Sequence, residues 1–414
     1  MEIRRDTFWN ISPEMQIWFY VLAGVASVIF LYGFYRRYRL WNRGRKEKIQ
    51  WKNLKDNFSY FSRLAVRQTK LKKDKLAGTM HKMIAYGFTA LFIGTVLVFI
   101  DQDFRIPILQ GKFYLIYELV LDIFGLAFII GLSAFLFIRG GKFRKRMLQS
   151  KMDYLFLILF ILIGIGGYIT EGIRLSETNI HYAHWSPVGY ALSHLFSGSM
   201  LFNADTYLFW WLSHALFAFV LIAIIPFTKL LHVITAPLNI LMSPVKRTGD
   251  FDAVVLFKND QKERVAVGSV YDFTNLQLLS TDACTECGRC DQVCPANLSG
   301  KDLAPRNIIM KIRENMHGNK LISSFISAEE LKQCTNCSAC VEACPVSINH
   351  VDLILAMRRG ALPEELLNPH AEEALVHLGH DQNIWGSPWS EREDWTRGLN
   401  VPVLRDSKNT SKEA

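Results

Sequence analysis

The chain has 414 residues, 50% of them apolar, 13% aromatic and 21% charged, with a net charge of +9. That mixture is too oily for a water-soluble protein and too charged for a bare channel bundle, and it excludes a disordered, a collagen-like or a small disulfide-stapled chain. The basic residues lie beside apolar runs and form no separate face, which points to a membrane surface and away from nucleic acid.

Five apolar runs follow one another at 17–35, 83–100, 114–138, 154–173 and 207–227. Each is near the roughly 20 residues that a bilayer crossing needs. Basic residues follow the first run and no small-residue cleavage site ends it, so it reads as a span and not as a removable signal peptide. The segment 36–75 holds 15 Lys and Arg against 3 acids, and 139–151 holds 6 basic residues and no acid. The loop 101–112 has 2 basic residues, and 174–206 has only Arg174. Positive charge marks the cytoplasmic side, so the N-terminus is expected outside and everything beyond 227 inside a cytoplasmic membrane. The basic run 36–75 reads as a solvated linker against lipid headgroups.

Ionisable groups within the spans are the first functional candidates, because burying them in a bilayer is costly. His81 opens the second span at its inner side. Glu118 and Asp122 lie four apart and share a face of the third span, and Glu171 and Arg174 close the fourth. These four groups are candidates for a quinol site near the outer surface, where carboxylates would accept protons; a structural ion pair such as Glu171 with Arg174 is the alternative. Gly164, Gly166 and Gly167 read as helix packing and not as a phosphate loop. His214 lies in the outer half of the fifth span and His232 just past its inner end. Their spacing of 18 residues is five turns of a continuous helix, about 27 Å, with both facing one way. By depth, His81 and His232 pair to hold one b-type haem through neutral imidazoles. The plainer alternative is a pair of interfacial histidines at helix ends. His214 lies further out; a haem there needs a second ligand from His181, His184 or His194, and the alternative is a bundle histidine bonded to a carbonyl.

Beyond the spans, 251–270 reads as a short polar hairpin. Then Cys284, Cys287, Cys290 and Cys294, followed by Pro295, recur as Cys334, Cys337, Cys340 and Cys344, followed by Pro345. All 8 cysteines of the chain lie in these two runs. Three close thiolates wrap one face of a [4Fe–4S] cube and a distant one closes it; in two-cluster proteins of this spacing the fourth cysteine serves the other cluster. One cluster is thus expected on Cys284, Cys287, Cys290 and Cys344, and the second on Cys334, Cys337, Cys340 and Cys294. Structural zinc also takes four thiolates, but it does not explain the duplicated run with its late cysteine. Residues 305–316 have helical spacing with Pro305 near the start. The fold expected is an all-α membrane protein. It comprises a five-helix bundle over 1–240, a linker over 241–275, a mostly helical two-cluster ferredoxin-type domain over 276–360, and a polar tail over 361–414. In the tail, Trp385, Trp389 and Trp395 are read as a docking segment for a partner, the alternative being packing on the chain's own ferredoxin domain, and His370, His377 and His380 as a solvated helix face.

The stretch Trp210-Trp211-Leu212-Ser213-His214 … Pro226-Phe227-Thr228-Lys229-Leu230-Leu231-His232 … Pro237-Leu238-Asn239 resembles the last span of the respiratory nitrate reductase gamma-subunit family. With Trp185–Leu192, Asp282–Cys290, Asn383–Pro388 and Glu391–Trp395, the likeness is closer to the branch fused to ferredoxin domains, the membrane-bound heterodisulfide reductase-like iron–sulfur proteins. It runs over nearly the whole chain from about residue 80. The resemblance implies a cytochrome b anchor with a quinone site, and haem-ligand positions at His81, His214 and His232. It also implies a cytoplasmic redox partner. Two departures stand out. Leu91 occupies the position of a further family histidine, which removes a ligand from the outer haem. No cysteine follows Cys344, which places any disulfide chemistry on a cysteine-rich partner. The expected role is a membrane electron-transfer subunit between the quinone pool, haem and two clusters. The other readings are a self-sufficient quinol oxidoreductase, for which no nucleophile, flavin or nucleotide motif appears, and a non-redox membrane scaffold.

Overall fold

In the computed structural model, residues 3–47, 54–141, 147–148, 150–242, 266–361 and 369–399 are described. Most of the expected hairpin 251–270 lies outside them. Each long apolar run becomes a helix, and in four of the five a side chain at the start takes an otherwise orphaned backbone N–H. Ser12 caps α1 (Pro13–Trp41), with Pro13 in the first turn. After α2 (Leu54–Phe61), Asp74 caps α3 (Lys75–Asp103). Next come α4 (Gly111–Gly140) and α5 (Lys151–Thr178), the latter capped by Ser150 and closed by Asn179 at φ 46°. The short α6 (Pro187–Phe196) precedes α7 (Ala204–Ile224), which opens with a reciprocal Asn203–Thr206 cap.

Five of these helices, α1, α3, α4, α5 and α7 with its 3₁₀ extension to Phe227, are long and apolar enough to cross a membrane. They outrun the hydrophobic windows because capped, charged turns extend each helix beyond its apolar stretch. In space α3 lies on α4, α4 on α5, α5 on α7 and α7 on α1, so the first span packs beside the fifth. Gly87 and Gly94 let α3 approach Phe128 and Leu121 of α4, with small residues replacing bulk at the contact. Outward-facing residues such as Val28, Leu31, Phe92 and Ile123 are exposed, as lipid-facing side chains would be.

The fifth span does not continue as one helix to His232. Pro226 lies in a 3₁₀ turn, Thr228 is extended (φ −134°, ψ 175°), and α8 starts afresh at His232 (His232–Met242). The five continuous turns expected between His214 and His232 are therefore wrong: proline withholds an N–H, and the chain turns where the ladder is cut. The segment 36–75 also departs from a solvated linker. Trp41, Asn57, Leu64 and Gln68 are buried, and one π-helical turn (Ser62–Val66) follows α2. Apolar residues set among the lysines and arginines give this segment a face that packs inward, while the charges stay outside.

The remaining helices, α9 (Asn275–Asp282), α10 (Arg289–Gln292), α11 (Pro295–Leu298), α12 (Pro305–Asn315), α13 (Ala328–Lys332), α14 (Ala339–Ala343) and α15 (His350–Ala361), build the cysteine domain. The tail carries α16 (Pro369–Asp381). No β-strand occurs among the described residues, only isolated bridges. The core of the cysteine domain, with Phe273, Ile308, Ile309, Ile312, Met316 and Met357, also takes in Trp41 and Leu231 from the membrane part. Trp41 Nε1 donates to Asp282 (2.8 Å), Thr235 Oγ1 to the Asp282 carbonyl (3.0 Å) and Asn239 to the Val346 carbonyl (2.7 Å). The two halves thus share one apolar core and a set of buried hydrogen bonds.

Candidate metal centre

Both cysteine runs follow the same backbone path. Glu286 and Gly288 in the first, and Asn336 and Ser338 in the second, have φ between 55° and 72°. Gly288 adopts this left-handed turn freely; the other three carry it at a cost that the wrapped loop imposes. Small residues at 288 and 338 are legible in sequence, whereas the strain at Glu286 and Asn336 is not. Cys284, Cys287, Cys290 and Cys344 line one cleft, together with Arg289, Arg306 and His350. The thiols of Cys334, Cys340 and Cys337 lie within electrostatic reach of one another and of Cys294. Cys344 therefore meets the three of the first run, and Cys294 lies near Cys334 and Cys340 of the second.

Cys284, Cys290, Cys294, Cys340 and Cys344 are buried, Cys287 and Cys334 half-buried, and Cys337 exposed. Burial pushes the thiols of Cys284 and Cys340 up to about 12 and that of Cys344 up to about 11, with further upward pressure from neighbouring thiols. Thiolates gathered here without a compensating cation are unfavourable, so loading with iron would release protons. Among the described residues no three Cys, His, Asp or Glu side chains gather around a single metal ion. The sulfurs surround a cleft, and four thiolates are the donor set a cube with one iron at each would take.

The three histidines of the bundle share one feature. His81 Nδ1 faces Gln68 Oε1 at 3.1 Å, His214 Nδ1 the Ile163 carbonyl at 2.9 Å and His232 Nδ1 the Lys229 carbonyl at 2.6 Å. An oxygen at Nδ1 places the proton there and leaves the Nε2 lone pair for a metal, the arrangement of imidazole ligands with an outer-shell partner. Burial holds His232 below the ordinary histidine value, in the neutral form that ligates. His81 lies within electrostatic reach of His232 and of Arg289. The ring of His214 rests on Gly166 and Gly167, where an added Cβ would stand 3.3 Å from it. That glycine pair is the close packing expected from sequence. The carbonyl bond of His214 is also what the plainer reading expects. His181, His184 and His194 are exposed, and none turns toward the bundle interior.

At the far end of the bundle the four quinol-site candidates come together. Arg174 is bonded to Glu171 (2.7 Å and 3.1 Å) and lies 3.9 Å from Glu118. Glu118 accepts from Ser186 (2.7 Å) and faces Arg5 (3.4 Å). Asp122 accepts from the backbone N–H groups of Val188 and Gly189, so it caps α6. The Glu171–Arg174 pair foreseen as the structural alternative is present, extended into a network by Glu118 and Arg5. Arg174→Met is expected to lower stability by about 2–4 kcal/mol, since buried Glu118 and half-buried Glu171 lose their shared cation while Glu118 keeps Arg5. The unfolding temperature of the detergent-extracted protein checks this; an unchanged midpoint would show that the network is not load-sharing.

In the tail, Trp385, Trp389 and Trp395 are 79%, 51% and 71% exposed, so none is packed away on its own domain. His370 and His380 are exposed as expected, while His377 pairs with Glu373 and Asp381.

A sulfur-lined cleft and a second group of thiols, joined to five membrane-length helices, define a membrane-anchored iron–sulfur protein of the oxidoreductase class. Residues 66–248 match the nitrate reductase gamma subunit family, and residues 283–348 match the 4Fe-4S dicluster domain. The chain joins a nitrate reductase gamma-like membrane domain to a 4Fe–4S dicluster domain. It is 27% identical over 441 residues to the "EtfAB:quinone oxidoreductase" of Syntrophomonas wolfei, covering 93% of this chain and 60% of that protein. It is 27% identical over 457 residues to the "Probable iron-sulfur-binding oxidoreductase FadF" of Bacillus subtilis, covering 95% and 63%. A "Probable membrane-anchored ferredoxin" of Chromohalobacter salexigens is 32% identical over 177 residues, 36% of this chain and 26% of that one. The chain thus spans about 60% of the length of the first two relatives. No solved structure matches.

Proposed function

We propose that this chain is an electron-transfer subunit of the cytoplasmic membrane. It links the quinone pool, a b-type haem held by His81 and His232, and two [4Fe–4S] clusters to a soluble redox partner on the cytoplasmic side. The observation that carries the reading is the adjacency of two Nδ1-anchored histidines to the cleft lined by Cys284, Cys287, Cys290 and Cys344. When bound, haem and clusters supply one-electron carriers and no substrate chemistry of their own. The residues do the rest. Gln68 and the Lys229 carbonyl orient the two imidazoles. The thiolates of Cys334, Cys337, Cys340 and Cys294 hold the second cluster, whose exposed Cys337 marks the contact edge for the partner. Glu118 and Glu171, sharing Arg174, are placed to accept quinol protons on the outer side, with Asp122 holding α6 beside them. His214 would be a ligand for a second haem.

The likeness to the EtfAB:quinone oxidoreductase of Syntrophomonas wolfei favours EtfAB as the soluble partner and quinone as the membrane one. A cysteine-rich disulfide reductase is the second reading, supported by the likeness to heterodisulfide reductase-like proteins. The membrane-extracted chain is expected to show a reduced-minus-oxidised haem α-band and a cluster EPR signal, both developed by a quinol or by reduced EtfAB. A colourless preparation, or one that carries zinc, would overturn the proposal.

A further inference from the structure

His232 is held by a residue that also grips the loop of the first cluster, and His81 by one two positions from a residue that does. The Lys229 carbonyl accepts from His232 Nδ1 (2.6 Å), and Lys229 Nζ is paired with Glu286 (2.5 Å), between Cys284 and Cys287. Glu286 is paired in turn with Arg313, which donates to the Cys284 carbonyl (3.0 Å). Asp153, itself paired with Arg139, takes the other side of Lys229 (3.1 Å). The second connection runs from His81. Gln68 Oε1 faces its Nδ1, and two residues on, the Lys70 carbonyl accepts from Arg289 (3.3 Å), which lies between Cys287 and Cys290. Lys70 Nζ then donates to the Val341 carbonyl (3.3 Å) and pairs with Glu342, just ahead of Cys344. Gln68 is buried at φ 52°, a conformation a glutamine rarely holds without surrounding support.

We propose that Lys229 and the Gln68–Lys70 turn are positioning residues. They lock the inner histidine pair to the cluster of Cys284, Cys287, Cys290 and Cys344, making that cluster the membrane-side station of the dicluster domain and the cluster of Cys337 the solvent-side one. The inference rests on the haem reading of His81 and His232. Its physical basis is that a small displacement of donor and acceptor slows transfer, and that outer-shell partners set ligand orientation and basicity. Two independent bridges ending on adjacent spacer positions of one cysteine run hold that geometry from both sides.

The test uses the full detergent-extracted chain. Flash photoreduction with a soluble flavin loads electrons at the exposed cluster, and the reduced haem band reports their arrival. Lys229→Met keeps the backbone carbonyl for His232 but removes the tie to Glu286. It is expected to retain haem and iron while the haem band develops about tenfold more slowly, and Lys229→Arg is expected to recover the rate. Gln68→Leu is expected to shift the low-spin haem EPR signal and midpoint potential and to leave the cluster signals in place. Full cofactor content with wild-type rate, spectrum and potential in both Lys229→Met and Gln68→Leu would overturn the proposal. If Lys229→Met fails to accumulate, Glu286→Gln cuts the same bridge from the other side and is read the same way. Absence of haem from the wild-type chain is a different result, which removes the functional reading beneath the inference.

Discussion

Replacing Cys284 and Cys344 together by serine is expected to remove one cluster and leave the other, so that iron falls from about eight to about four per chain. The two residues lie in different runs, and an uncrossed arrangement would lose both clusters. The first cleft decides the expectation, because Cys344 lines it with Cys284, Cys287 and Cys290. The reciprocal pair Cys294→Ser with Cys334→Ser should likewise lose only the second cluster, since these thiols lie together. By contrast, Cys284→Ser with Cys294→Ser, two residues of one run, should lose both. Iron analysis with EPR of the reduced protein separates the cases. Retention of about four irons in the last variant, with none in the first, would show that each run closes its own cube.

Removal of an inner imidazole is expected to have the next largest effect. His232→Leu or His81→Leu should each lower bound haem at least tenfold, because changes to outer-shell partners alone are worth about 10–100-fold in affinity. Haem content by the pyridine haemochrome band is the measurement, and the two single variants should match the double variant. His214→Leu should leave that band in place. Haem that remains in the double variant and is lost in His214→Leu would assign another haem to the far half of the bundle. Undiminished haem in His232→Leu would remove the inner pair from the account.

Much of this protein is legible in local sequence pattern. The five spans, the cap residues Ser12, Asp74 and Ser150, and the helix at 305–316 are signals carried within a few residues of where they act. The cysteine spacing belongs with them, because the short turns of the loop dictate which thiols can lie close. The crossing is legible only because the run is duplicated.

Partners remote in the chain were not legible. Gln68 carries no sequence signal at all: its contact with His81 depends on a left-handed residue and on a segment that reads as a polar linker. Lys229 lies in a stretch that stands out for its histidine, yet its pairing with Glu286 joins residues of opposite halves. The chain turn at Pro226–Thr228 undid the even spacing of His214 and His232 by interrupting a helix that hydropathy alone treats as continuous. Asp122 reads as a carboxylate for proton transfer, and only the approach of α6 revealed a cap. Sequence by itself determined the membrane bundle, the cluster-binding runs and the inventory of titratable groups, since hydropathy, capping and loop spacing act over a few residues. Tertiary structure alone decided which oxygen meets which imidazole and which charge meets which loop. Those contacts come from burying polar groups between helices distant in sequence, where each buried group needs a partner that no local pattern names.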